Sequence, residues 1–199
     1  MAEELPELVV PHAEAWLQWL GANHGQGSGV WLVLAKKGTE QPTDLSYDQA
    51  LEAALCHGWI DGQVKRRDEG TFRQRFTPRR SRSAWSKRNV GIVERLLEEG
   101  RMHESGLAAV AAAKADGRWQ AAYAGPATMS VPDDLARALA ENPQAQAMFE
   151  ILTSQNRYSV LLRIDSAKRS ETRARRIEQF VTMLARGETV HPQRRKLSA

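Results

Sequence analysis

Cysteine is nearly missing from this chain of 199 residues, Cys56 being the single one. That excludes an internal disulfide and a cysteine-rich zinc site, and it leaves Cys56 to be read as a small buried hydrophobe on a helix. Long apolar runs are missing too. No stretch of about 18 apolar residues exists, so no membrane-inserting helix is expected. The opening Met1-Ala-Glu-Glu-Leu-Pro is acidic where an export signal is basic and then apolar, and the expectation is a cytoplasmic protein. His12, His24, His103 and His191 lack metal-ligand spacing, and neither a Gly-Lys-Ser/Thr phosphate cradle nor an internal repeat is found, so no metal site is expected.

What is present is an ordinary globular composition, 42% hydrophobic and 26% charged. The length suits one domain, taken as residues 1–190 with a frayed basic tail over 191–199. Net charge is only +4, but the positive charge is uneven. Lys65, Arg66, Arg67, Arg73, Arg75, Arg79, Arg80, Arg82, Lys87 and Arg88 face only Asp68 and Glu69 nearby. Such a patch points to an anionic partner, unless it is merely a solvated face.

Periodicity orders the chain. Pro11 with Ala13, Trp16, Leu17 and Leu20 predicts a helix over about 11–22. Residues 30–35, between Gly29 and Gly38, read as a strand buried on both faces. Ser46 and Gln49 form a capping box for a helix over 47–57 that Gly58 stops. Trp59–Lys65 and Thr71–Thr77, joined by Arg67-Asp-Glu-Gly, predict a hairpin whose second strand is apolar on one face and cationic on the other. Beyond residue 86 the pattern is helical: Ser86 caps a first helix, Ser130 a later one, Asn142-Pro143 opens the next and runs on through Tyr158, and the last begins near Ser170. The fold class expected is α+β, a small three-stranded antiparallel or mixed sheet with a mainly helical C-terminal half.

Chemistry crowds into 54–89. Thr77 to Ser86 leads from a strand into a helix start, where free N–H groups and the macrodipole attract anions, and Arg79, Arg80, Ser83, Ser86 and Lys87 would add donors. Trp59 and Trp85 would supply apolar walls for a planar ligand, and Asp61 and Asn89 orientation. For each tryptophan alone, core packing is the commoner fate, as Asp–Arg pairing is for Asp61. Cys56 and His57 cannot act as nucleophile and base, because adjacent helical residues point about 100° apart.

The runs Ala54-Leu-Cys-His-Gly-Trp-Ile-Asp-Gly, Phe76-Thr-Pro-Arg-Arg-Ser-Arg-Ser-Ala-Trp-Ser-Lys-Arg-Asn, Gly100-Arg-Met, Ala113-Lys-Ala-Asp-Gly-Arg-Trp and Ala167-Lys-Arg-Ser-Glu-Thr-Arg-Ala-Arg-Arg-Ile resemble the bacterial YdeI/OmpD-associated, or bacteriocin-protection, family. The resemblance runs from Trp19 to about Gly187. Its signature positions fall on Trp59, Asp61, Gly62, Pro78, Arg79, Trp85, Ser86 and Asn89. It implies a link to antimicrobial-peptide tolerance and envelope stress, and names no catalytic mechanism or cofactor. Three functions follow as expectations. The first is a stress protein binding an anionic small molecule or nucleotide through Trp59, Asp61, Arg79, Arg80, Trp85, Ser86, Lys87 and Asn89. The second is a nucleic-acid binder using the hairpin and the arginine-rich last helix. The third is an enzyme with Asp61 as its base.

Overall fold

The computed structural model describes residues 5–25, 27–126 and 128–197. The packing groups the chain into two compact units, Met1–Ala122 and Tyr123–Ala199. Each has an apolar core of its own.

The first unit runs β1 (Glu7–Leu8), α1 (Ala13–Asn23), β2 (Val30–Ala35), α2 (Tyr47–Cys56), β3 (Trp59–Arg66), β4 (Thr71–Pro78), α3 (Lys87–Glu98) and α4 (Glu104–Ala115). Its sheet has four strands in the order β1-β2-β4-β3, not the three expected. β1 pairs parallel with β2 while the other pairings are antiparallel. Two residues are too few to show alternation, so nothing in the sequence pattern marks β1.

Alternation along β2 builds two surfaces. Val30, Leu32 and Leu34 join Trp16, Leu20, Leu51, Leu55, Trp59 and Phe76 in the core, each burial of such a side chain contributing roughly 1.5–3 kcal/mol. Trp31 and Val33 lie on the other face, opposite Arg75 and Arg73. The Trp16 indole donates to the Ala50 carbonyl at 3.1 Å, locking α1 against α2. Around it Trp19, Trp59 and Phe76 pack with ring centroids 5.2–6.3 Å apart. The capping box of Ser46 and Gln49 forms as expected, and Asp68 closes the hairpin by accepting from the Gly70 and Thr71 amides.

In the second unit, α5 (Asp133–Ala140), α6 (Pro143–Glu150), α7 (Ser154–Asp165) and α8 (Ser170–Ala185) surround Leu135, Phe149, Val160, Leu161, Ile177 and Leu184. Two local readings are corrected. Ser130 does not cap α5, whose N-cap is Pro132 with no side-chain bond. The helix opened by Asn142 stops at Glu150, and a new one starts behind Thr153, whose hydroxyl accepts from the Asn156 amide. The segment read as a frayed tail is anchored at its start: the Gln193 side chain accepts from the Thr153 amide at 3.1 Å and from the Asn156 side chain at 2.9 Å. Among the described residues no helix is long and apolar enough to cross a membrane.

Candidate anion-binding cleft

The hairpin β3–β4 carries the polar chemistry. Phe72, Gln74 and Phe76 pair with Leu34, Leu32 and Val30, which leaves Arg73 and Arg75 on the opposite face beside Val33 and Trp31. The expected greasy and cationic faces of β4 are therefore real. Lys65 of β3 sits 4.4 Å over the Trp31 ring, covering it with charge. Glu7 of β1 answers two of the cations, bonding Arg67 at 3.1 Å and Arg73 at 3.4 Å.

Between Asp61 and Val64 the strand register shifts, so that Gly62 and Gln63 together oppose Arg75. This is a β-bulge, a device that bends a strand and re-aims side chains. Gln74, almost fully buried, secures it from the core side by donating to the Gly62 carbonyl at 2.8 Å. On the other side the bulge opens a cleft of about 340 Å³. Gly62, Gln63, Thr77 and Pro78 line it, with Arg75, Arg80 and Ser83 as its hydrogen-bonding and charged groups. Ser83 accepts from the Arg80 amide at 3.0 Å and so folds the 80–83 loop over the cleft end.

Neither Arg75 nor Arg80 has an acid partner among the described residues. The Nε of Arg75 is buried and makes no hydrogen bond. A buried donor without an acceptor costs about 1–3 kcal/mol, and two like charges lining one cleft add repulsion. An anion in the cleft would offset that repulsion.

The remaining candidate residues separate from this cleft. Arg79 lies flat against Trp85, its guanidinium carbon 3.5 Å from the ring centroid, and donates to the Ala84 carbonyl at 3.1 Å. Trp59 and Trp85 are core residues and wall no part of the cleft; the Trp59 indole donates to the His24 carbonyl. Ser86 is spent as the N-cap of α3, accepting from the Asn89 amide. Asn89 is buried and Lys87 is exposed on the first turn. Asp61 pairs not with an arginine but with Tyr47, whose hydroxyl donates to it at 2.9 Å while accepting from Arg88 at 3.3 Å. Burial, and next the Asp61 charge, push the Tyr47 phenol up to about 12. Arg75 and Tyr47 were not singled out from sequence, although alternation already placed Arg75 on the cationic face.

A larger groove, about 630 Å³, runs along α5 and α8 in the second unit. Its arginine, Arg173, is already clamped by both oxygens of Asp134, at 2.5 and 2.9 Å.

The fold and cleft define a two-unit α+β protein with an arginine-lined cleft on the cationic face of β4 in a mixed sheet. The chain belongs to the family described as a domain of unknown function (DUF8412), whose model matches residues 8–109, just over half its length. Residues 128–187 match the model described as bacteriocin-protection, YdeI or OmpD-associated. The family named from the sequence is thus found in the second unit, while the signature positions from Trp59 to Asn89 fall in the other match. No curated protein and no solved structure matches the chain.

Proposed function

We propose that this is a cytoplasmic protein of the stress-protection type that binds the anionic group of a small ligand between Arg75 and Arg80. The carrying observation is that Arg75 and Arg80 line one cleft and neither has an acid partner among the described residues. Guanidinium forks bind phosphate and carboxylate in two-point fashion, and the hydroxyls of Thr77 and Ser83 would supply further donors. Phosphate, pyrophosphate, nucleotides and citrate, tested by thermal shift, should include at least one that raises the melting temperature of the wild type. Arg75→Gln and Arg80→Gln should each abolish that rise. No response from any of the four, or an unchanged response in both variants, overturns the reading. Cell fractionation tests the location.

A nucleic-acid reading draws on Arg73, Arg75 and Lys65 sharing one sheet face. The arginines of α8 support it less than expected, because Arg173 is taken by Asp134 and Arg176 by the Arg163 carbonyl and Ser166. Its mark is affinity falling steeply with salt, by about one power of concentration per phosphate contact. The base reading for Asp61 has less still, since its carboxylate is tied to Tyr47 and does not line the cleft.

A further inference from the structure

Side chains around the cleft between Arg75 and Arg80 narrow the chemistry that fits it. Among its lining residues these two guanidiniums are the charged groups, and Gln63, Thr77 and Ser83 the other polar side chains. Arginine donates and cannot accept. Among the described residues no carboxylate, histidine or aromatic ring lines the cleft. Such a lining suits a ligand rich in acceptors and carrying two negative charges, and it offers a cationic group no partner.

Its walls are set in advance. The stem of Arg75 lies along Gly62, where an added Cβ would stand 3.7 Å from the arginine Cβ and Cδ. Arg80 belongs to a turn closed in both directions, its carbonyl accepting from the Ser83 amide at 2.9 Å and its amide donating to the Ser83 hydroxyl at 3.0 Å. That hydroxyl, accepting there, still has its own proton to donate. Arg118, 35 residues further on, grips the same turn. Its Nη1 donates to the Ser83 carbonyl at 2.9 Å, while its Nε donates to both Asp116 oxygens, at 2.9 and 2.7 Å. Arg79 holds the next carbonyl, that of Ala84, at 3.1 Å. Two successive carbonyls are thus fixed by two guanidiniums, and the ordering that a loose loop would undergo on binding is largely avoided.

Two features separate the anions that could enter. A phosphate monoester has a second pKa of about 6 and is a dianion at neutral pH, whereas a diester carries one charge. Two cations lining one cleft favour the dianion. A nucleobase, for its part, gains most by stacking on an aromatic ring, and the indoles of Trp59 and Trp85 lie in the core instead. The volume, about 340 Å³, is at the small end of ligand pockets.

We propose, building on the anion-binding reading of this cleft, that its ligand is a compact phosphate monoester without a nucleobase, such as a phosphorylated polyol. The phosphoryl group lies between Arg75 and Arg80, Thr77 and Ser83 donate to its oxygens, and Gln63 is left for a ligand hydroxyl.

Isothermal titration calorimetry of the full chain at fixed ionic strength tests this with glycerol phosphate, dimethyl phosphate, sulfate and adenosine monophosphate. At about pH 7.5 glycerol phosphate should bind at least about tenfold more tightly than dimethyl phosphate, and adenosine monophosphate no more tightly than glycerol phosphate. Sulfate stays a dianion in mild acid, so it registers any change in the charge of the protein itself. Between about pH 7.5 and pH 5 the affinity for glycerol phosphate, divided by that for sulfate, should fall about tenfold, the loss of dianion that a second pKa near 6 brings. No lining side chain titrates in that window. Arg75→Gln and Arg80→Gln should each remove most of the preference for monoester over diester. If the wild type binds neither glycerol phosphate nor sulfate, the anion site itself falls and the ligand class with it. If it binds them, a smaller preference over the diester, a constant ratio to sulfate across the pH range, tighter binding of adenosine monophosphate, or a full preference kept by both variants overturns the monoester and leaves only an anion cleft.

Discussion

Asn156 of α7 holds the backbone of His191 in both directions, its amide nitrogen donating to the His191 carbonyl at 3.0 Å and its oxygen accepting the His191 amide at 2.8 Å. Asn156 is almost wholly buried, so these bonds, and that to Gln193, satisfy an amide that water cannot reach.

Truncation after Val190 removes those partners and leaves the Asn156 amide unsatisfied. The expected cost is about 2–3 kcal/mol, the scale of an orphaned buried polar group. It should fall on the second unit. All six tryptophans lie within the first, so circular dichroism should register an earlier transition while tryptophan emission keeps its midpoint.

Gly106→Ala and Gly91→Ala should have opposite signs. Both glycines are in helices, where alanine is favoured by about 1 kcal/mol. At Gly91 nothing lies within 4 Å of the added methyl, so the gain is kept. At Gly106 the methyl meets backbone at 2.1 Å, and overpacking costs of about 1–3 kcal/mol or more outweigh the gain. Urea midpoints read by tryptophan emission decide it.

Tyr47→Phe removes the donor that Asp61 accepts from, at an expected cost of about 1.5 kcal/mol. In the wild type, one of the three tyrosines should titrate only at about 12 by absorbance. Its folded value exceeds its unfolded one, so the stability it lends is present below about 10 and is lost as pH rises through the folded value. Asp61→Asn should bring that titration back toward the ordinary phenol range.

The Arg173 clamp holds the Asp134 carboxyl below the usual range. A depressed carboxylate contributes above its unfolded value, near 3.9, and loses that contribution as pH falls through the folded value. Asp134→Asn should therefore flatten the acid side of the circular-dichroism stability profile, and leave the profile read by tryptophan emission unchanged.

Local grammar in the sequence was dependable where one signal sufficed. The box of Ser46 with Gln49, the cap at Ser86, the opening at Asn142-Pro143 and the alternation of β4 all stand in the structure as expected. What stayed hidden needed two distant segments to meet. β1 is a strand only because residues 30–35 pass beside it, and the rings of His24, His57 and His103 pack together from helix caps 33 and 46 positions apart, a spacing no motif describes. The residues grouped from the sequence around one hairpin are parted in the structure, Arg80 lining the cleft while Arg79, Trp59 and Trp85 do not. Arg79 and the indoles of Trp59 and Trp85 look attractive in a row of letters, yet large aromatic side chains beside a core are pulled into it. The bulge at Gly62 and Gln63, which opens the cleft, follows from register, and register is invisible until strands are paired.

Glu7 is a counter-charge held at the edge of the sheet. It lies on a strand of two residues at the sheet margin, yet its carboxylate tethers Arg67 and Arg73. Proteolytic trimming ahead of Val9 would strip away that counter-charge, leaving a more strongly positive surface on an otherwise similar body. Preparations with ragged amino termini should therefore separate on a cation-exchange column, the shorter species eluting later.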